Sequence, residues 1–343
     1  MELNYIHPNF ELNGERYSIE ELIELSNVWV NGTEEYLIDL GNLIIQWFNT
    51  DDYVSLTTSG TTGSPKVIQL KKEAMVYSAK ATGTFFDIKS SSNALLCMST
   101  KYVGGKLMFI RALILGWKLD VKEPTARPLL GSTKVYDFVA MVPMQVENSL
   151  VELAYVKKLI IGGAKVNKRL VEKLQLLDTK VYETYGMTET ITHIAAKLVG
   201  TDIFSVLPHA NVSMDARECL VISAPTVNPD LVVTNDLVEI ISNKEFKWRG
   251  RVDNVINSGG VKLFPEQIEE KLAKRIPYRF FVASKEDDYL GNKLVLVIES
   301  EEYTLDGDVF EDLSKYEKPR EIQFKSKFVE TETGKIIRRK NIQ

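Results

Sequence analysis

The sequence predicts an α/β protein: a large N-terminal layered α/β domain with a β subdomain, followed by a small C-terminal α+β domain. Three observations carry this reading. From Tyr53 to Gly186, short β-rich runs alternate with helical ones, the pattern of a layered α/β domain. After about Ala195 the runs are short strands with no long helices between them. After Asp253 a helix and strands mix again over a short terminal segment. The boundary falls near 251–253, so residues 1–250 form the first domain and 253–343 the second.

Each element has a local reason. Ser18 begins SIEE, with Glu21 three residues on, which is a capping-box start for a first helix. Thr33 opens a second amphipathic run through Trp47. YVSLTT and VIQL read as strands around a Gly/Thr/Ser loop, and KKEAMVYSAKATGTFF reads as a helix. ALLCM is a buried strand, and GKLMFIRALIL is helical. YDFVAMVP, KKLIIGG and KVYETYG are strands, with PMQVENSLVEL and KRLVEKLQLL as helices between them. CLVIS, DLVVT, LVEII and EFKWRG are short strands of an antiparallel subdomain. PEQIEEKLAKRI is a helix whose proline suits the first turn; RFFVAS and KLVLVIES are strands, and KIIRRK is a basic tail.

Composition narrows the function classes. The 343 residues are 44% hydrophobic and 26% charged, enough apolar side chain to offset the entropy of folding. A net charge of −5 gives no bulk attraction to nucleic acid or to an anionic membrane. The longest apolar stretch, Leu107 to Trp117, contains Arg111 and is too short to span a bilayer. No secretion signal is visible at the start, and Cys97 and Cys219 are isolated thiols suited to a reducing, cytoplasmic setting. His7, His193 and His209 are not at zinc spacing. The sequence carries no signal of oligomeric state.

The most informative stretch is Thr57-Thr58-Ser59-Gly60-Thr61-Thr62-Gly63-Ser64-Pro65-Lys66, of which eight are Thr, Ser or Gly. Glycines let backbone N–H groups converge on an oxyanion, hydroxyls add donors, and Lys66 adds positive charge. The physical reading is a polyphosphate cradle. It is not a Walker A loop, because no glycine precedes Lys66 and no helix plainly starts after it.

This loop resembles the phosphate loop of the AMP-forming acyl-CoA synthetases, the superfamily that includes peptide-synthetase adenylation domains and luciferases. Four further stretches resemble that family in the same order. They are Ile161-Gly162-Gly163-Ala164, then Tyr182-Glu183-Thr184-Tyr185-Gly186-Met187-Thr188-Glu189. Gly250-Arg251-Val252-Asp253-Asn254 with Ser258-Gly259-Gly260 follows, and then Glu332-Thr333-Gly334-Lys335-Ile336. The resemblance implies an enzyme that uses ATP, Mg²⁺ and coenzyme A to adenylate a carboxylic acid and pass the acyl group to a thiol.

The resemblance also implies roles. Thr58, Ser59, Gly60, Thr61, Thr62, Gly63 and Lys66 would hold phosphates; Gly162, Gly163, Ala164, Glu183, Thr184, Tyr185 and Gly186 would line the nucleotide site. Thr188 would donate to a phosphate. Glu189 would hold Mg²⁺, which takes few carboxylates and keeps phosphate oxygens as ligands. Asp236, with two free acceptors, would take the ribose hydroxyls, although Asn235 stands where the family has glycine; Arg251 would reach the ribose or the α-phosphate. Asp253 would be the hinge on which the small domain turns between half-reactions, and Ser258, Gly259 and Gly260 would form the loop on the coenzyme A side. Lys335 would be the catalytic lysine, stabilising charge that develops on the α-phosphate and the carboxylate.

Val139–Val146 and Ile256–Gly260 resemble the branch of the family that activates an aromatic keto-diacid. One carboxylate of such a substrate is activated and the other must be recognised. Lys101 and Lys106, at an expected helix start with free N–H groups, and His193, four residues after Glu189, are the candidates. Each also has a plain structural reading, a solvated lysine or a hydrogen-bonded framework histidine. Other acyl- or aryl-CoA ligases, enzymes that load a carrier protein, and a non-catalytic nucleotide-binding homologue remain as alternatives.

Overall fold

The computed structural model describes residues 5–58, 66–164, 166–330 and 336–342. The elements run β1 (Glu11–Leu12), α1 (Ile19–Val30), α2 (Glu35–Phe48), β2 (Tyr53–Thr58), β3 (Lys66–Lys71), α3 (Lys72–Phe86), β4 (Asn93–Leu96), α4 (Val103–Leu115) and β5 (Lys118–Val121). Next come β6 (Tyr136–Met141), α5 (Pro143–Asn148), β7 (Val156–Ile161), α6 (Lys168–Leu174), β8 (Lys180–Gly186), β9 (His193–Leu198), β10 (Ile203–Val206), β11 (Asn211–Met214), β12 (Cys219–Ala224), β13 (Asn228–Ser242) and β14 (Glu245–Arg251). The C-terminal part holds β15 (Ile256–Ser258), β16 (Val261–Leu263), α7 (Pro265–Leu272), β17 (Phe280–Asp287), β18 (Gly291–Glu299), β19 (Glu321–Lys325) and α8 (Arg338–Asn341).

One sheet organises the large domain, with strand order β1-β5-β4-β6-β7-β8-β9-β10-β14-β13-β12-β11. It is parallel from β1 to β8 and antiparallel beyond. The β subdomain is therefore an antiparallel extension of the same sheet. Crossover helices explain the parallel half, since parallel neighbours need a connection that returns across a face. β2 and β3 form a separate hairpin whose last pair before the loop is Thr58–Lys66. The C-terminal part has its own sheet, β17-β18-β19, and its own core around Ile268, Leu272, Val282 and Leu296. Among the described residues no helix is long and apolar enough to cross a membrane.

Several local expectations are met with a mechanism. Ser18 caps α1 in a reciprocal box: Glu21 N–H donates to Ser18 Oγ at 3.2 Å, and Ser18 N–H donates to Glu21 Oε2 at 2.7 Å. Others shift. α2 starts at Glu35 without a side-chain cap, so Thr33 does not open it. PMQVENSLVEL is not one helix; α5 stops at Asn148 and a 3-10 turn occupies Glu152–Tyr155. DLVVT and LVEII are one strand, β13, because Asp236 pairs in register with Arg251 instead of turning the chain.

α4 sets up the site. Its apolar residues surround the helix, and a helix without a polar face goes entirely into the core. Every residue from Gly105 to Ile114 is buried, so Lys106 and Arg111 are carried in with it. Gly105 permits the close approach, since a Cβ there would sit 2.3 Å from the Ser99 carbonyl oxygen.

Candidate active site

β6, β7 and β8 are parallel neighbours, so their carboxyl ends open on one edge of the sheet, next to the change to antiparallel pairing at β9. Such an edge is where open α/β sheets bind ligands. Gly162, Gly163 and Ala164 follow β7 at this edge. Thr184 Oγ1 donates to the Ile161 carbonyl at 2.9 Å and stitches this turn to β8. Glu183 is committed to an ion pair with Lys197 at 2.8 Å.

After Gly186 the chain makes a tight turn over Thr188–Thr190. Glycine is required there, because a Cβ on Gly186 would lie 2.3 Å from the Thr192 carbonyl oxygen. The turn is held by Thr190, whose Oγ1 accepts from Met187 N–H at 3.0 Å, so Thr188 is not its cap. Ile191 closes it at φ 64°, a conformation a β-branched residue adopts only when its surroundings impose it. The turn presents Glu189 to solvent with no ion pair among the described residues. An uncommitted carboxylate suits Mg²⁺, which would take its other ligands from phosphate and water. No group of three or more His, Cys, Asp or Glu that could hold a metal occurs among the described residues.

The next cluster joins β8, β13 and β14. Tyr185 donates its hydroxyl to Asp236 Oδ2 at 2.6 Å, and Trp248 Nε1 donates to Asp236 Oδ1 at 3.1 Å. Arg251 Nη1 lies 3.8 Å from Asp236, and Arg251 Nη2 donates to Asp253 Oδ2 at 2.7 Å. Asp236 thus does not have two free oxygens, as the sequence suggested; each already accepts one bond and keeps one lone pair for a ligand. Burial, then the Asp236 carboxylate, push the Tyr185 hydroxyl far above its ordinary pKa, so it stays a neutral donor. Asn235, the departure from the family's glycine, has a visible role: its Nδ2 donates to both Asp253 oxygens, at 3.1 and 3.3 Å. Sequence reasoning did not single out Trp248; a tryptophan facing the Asp236 strand is its only signal.

Ser258 and Val261 close a two-residue hairpin through Gly259 and Gly260, at φ 55° and 81°. Both positive values explain the Gly-Gly pair. Ser59, Gly60, Thr61, Thr62, Gly63 and Lys335 lie outside the described residues. For Thr58 and Lys66 only the backbone is described, as the ends of β2 and β3.

The expected acid-binding residues separate. Lys101 is exposed. Lys106 is the fourth residue of α4, and its N–H is already bonded to the Tyr102 carbonyl at 3.1 Å, so it offers no free backbone donor. Its side chain is buried, which lowers its pKa, with the Asp39 carboxylate acting the other way. His193 is buried in a chain of bonds. Thr82 Oγ1 donates to the Ser78 carbonyl at 3.0 Å and so accepts from His193 Nε2 at 3.2 Å. Arg111 Nη2 donates to His193 Nδ1 at 3.4 Å. The ring is therefore neutral with its proton on Nε2; burial, then Arg111 and His209, hold its pKa well below the ordinary 6.5.

Arg111 is what the sequence reading missed. It is 1% exposed, its Nε has no hydrogen-bond partner, and no carboxylate pairs with it among the described residues. Burial pulls its pKa down to about 9, which leaves it a cation at neutral pH. An arginine inside the apolar run Leu107–Trp117 was the available signal.

These features define the class: the chain belongs to the AMP-binding enzyme family, whose model matches residues 44–218. It is 37% identical to a solved protein from Dyadobacter fermentans described as acyl-CoA synthetase (AMP-forming)/AMP-acid ligase II-like, over 93% of this chain and 97% of that one, with a TM-score of 0.63. It is 27% identical to the 2-succinylbenzoate–CoA ligase of Escherichia coli over 76% of this chain and 62% of that protein. With the Staphylococcus aureus enzyme of the same name the identity is 26%, over 87% and 68%. The fold is shared with o-succinylbenzoate coenzyme A synthetase from Bacillus subtilis, solved with ATP and magnesium, at 18% identity, TM-score 0.72 and coverage of 84% and 69%. The chain spans 62% of the length of the Escherichia coli relative.

Proposed function

We propose that this protein is an ATP-dependent acid–thiol ligase that converts 2-succinylbenzoate to 2-succinylbenzoyl-CoA, a step of menaquinone synthesis. The substrate carboxylate attacks the α-phosphorus of ATP, the bond to the β-phosphate breaks, and pyrophosphate leaves. The thiol of coenzyme A then attacks the acyl carbonyl and AMP leaves. Tyr185, Trp248 and Arg251 orient Asp236 toward the ribose. Glu189 holds Mg²⁺, which supplies charge neutralisation on the phosphates. Lys335 stabilises the charge at the α-phosphate, and the small domain turns at Asp253 between the two steps. Catalysis is positioning and electrostatics, with no protein nucleophile.

The observation that carries the choice of acid is Arg111. A fully buried cation without a carboxylate is costly, and a dicarboxylic substrate supplies the missing anion. The names of the curated relatives support the same acid. The test is thioester formation with free coenzyme A across a panel of aromatic mono- and diacids. Preference for 2-succinylbenzoate is expected. Preference for a mono-acid would make it another acyl- or aryl-CoA ligase, and transfer only to a phosphopantetheinyl protein would make it a carrier-loading enzyme.

A further inference from the structure

Arg217 lies in the loop between β11 and β12, and the mechanism gives it no part. Asp215 anchors it. Asp215 Oδ1 accepts from the Arg217 and Cys219 N–H groups at 2.8 and 2.9 Å, and Arg217 Nε donates to Asp215 Oδ2 at 2.8 Å. From there the guanidinium reaches across to β13. Nη2 donates to the Thr234 carbonyl at 3.1 Å, and Nη1 donates to Asn235 Oδ1 at 3.0 Å. Asn235 itself lies in a bulge. Cys219 pairs with Leu237 and Val221 with Val233, so residues 234–236 stand opposite Leu220 alone. Bulges re-aim side chains, and here the Asn235 amide meets the Asp253 carboxylate, its Nδ2 donating to both oxygens.

The amide therefore sits between two groups of opposite kind. A guanidinium can only donate, and a carboxylate can only accept. One orientation satisfies both, with Oδ1 toward Arg217 and Nδ2 toward Asp253. Arg217 thus sets which end of the amide Asp253 meets. The side chains of Arg217 and Asp253 are 49% and 50% exposed, so these bonds are weak enough to break and re-form. That suits a hold that must let go in every turnover. We propose that Arg217 is a positioning residue: through Asn235 it latches Asp253 to β13 and weights the small domain toward the orientation seen in this structure. This rests on the reading of Asp253 as the hinge and does not depend on which acid is activated.

The test measures the distance between spin labels on Leu176→Cys, in the large domain, and Tyr289→Cys, in the small one. Both positions are exposed, whereas Cys97 and Cys219 are buried. Arg217→Ala keeps both backbone bonds to Asp215 and loses only the guanidinium. It is expected to raise the population at distances other than the main one by roughly two- to fivefold, the scale of an exposed polar pair. Asn235→Asp keeps the size of the side chain and its bond to Arg217 but turns a negative charge on Asp253; it is expected to raise that population at least as much as Asn235→Gly. In the Asn235→Gly background, Arg217→Ala is expected to add nothing. Melting temperatures check that each variant is folded. An Asn235→Asp variant that matches the wild type would make the role mere packing, and an Arg217→Ala effect that persists beside Asn235→Gly would mean that Arg217 acts on Asp253 by its charge alone. Either result, or a folded Arg217→Ala variant with the wild-type distribution, overturns the latch but leaves the hinge standing. A wild-type distribution that neither ATP nor coenzyme A alters overturns the hinge reading and this inference together.

Discussion

Tyr185 on β8 donates its hydroxyl to Asp236 on β13 at 2.6 Å, tying the last parallel strand to the antiparallel half of the sheet. The bond crosses the middle of the 12-stranded sheet. With Trp248 donating to the other oxygen, both oxygens of the carboxylate are held from inside the fold.

Asp236→Asn tests that arrangement. An amide presents one oxygen where two donors, Tyr185 and Trp248, now point, so one donor must face an NH₂ group. A cost of about 1–3 kcal/mol in stability is expected, read as a lower melting temperature. The KM for ATP in pyrophosphate exchange should rise by roughly ten- to a hundredfold, on the scale of hydrogen bonds to a charged group. An unchanged KM would place the ribose elsewhere.

Asn235 and Arg251 both hold Asp253, and the Arg251 guanidinium, followed by Asn235, keeps its carboxyl below the usual range. If the small domain turns here, Asn235→Gly removes one restraint. Adenylation should stay within about twofold while thioester formation speeds up, measured as separate single-turnover half-reactions. Asp253→Pro fixes φ and should slow thioester formation far more than Asp253→Ala does, which removes only the carboxylate. Parallel loss of both half-reactions in the proline variant would mean a folding defect or a direct ligand role.

Lys335→Ala should abolish adenylate formation and leave ATP binding and thioester formation from a supplied acyl-adenylate largely intact. Charge stabilisation at a transferring phosphoryl group acts on the first step only. Adenylation near the wild-type rate would remove Lys335 from the mechanism.

What the sequence showed and what it hid follow from where the chemistry sits. The residues proposed to line the nucleotide site stand out in sequence because they lie at strand ends, where polar and glycine residues interrupt apolar runs: Gly162 and Gly163 after β7, Thr188 and Glu189 after β8. Asp236 was legible only through family resemblance, since an Asn-Asp pair ordinarily signals a turn; in the fold it continues β13 because Tyr185, Trp248 and Arg251 satisfy it. Arg111 was hidden by its neighbours. Apolar flanks mark a core helix, and spacing along α4 does not reveal that no carboxylate among the described residues comes to meet the guanidinium. The burial of Lys106 was hidden for the complementary reason, because a helix start looks exposed in sequence and this one is pressed onto Ser99.

Buried His193 and half-buried His209, whose ring nitrogens are both buried, also predict a pH dependence of stability. Burial, followed by nearby cations, makes each ring harder to protonate in the folded protein, His209 down to about 4 from the ordinary 6.5 and His193 in the same direction. Above about pH 6.5 both rings are neutral in the folded and unfolded chains, and neither carries a penalty. As the pH falls from there toward 4, the unfolded chain takes up protons that the folded chain refuses, so stability declines. For His209 alone the full decline is about 3 kcal/mol, at 1.36 kcal/mol per pH unit. Thermal melts of the wild type and His209→Phe between about pH 7.5 and 4.5 isolate its share, because the carboxylates that also titrate there are common to both. The variant should gain on the wild type steadily as the pH drops below 6.5 and hold a constant offset above it. A constant offset over the whole range would mean that the ring is solvated and titrates alike in both states.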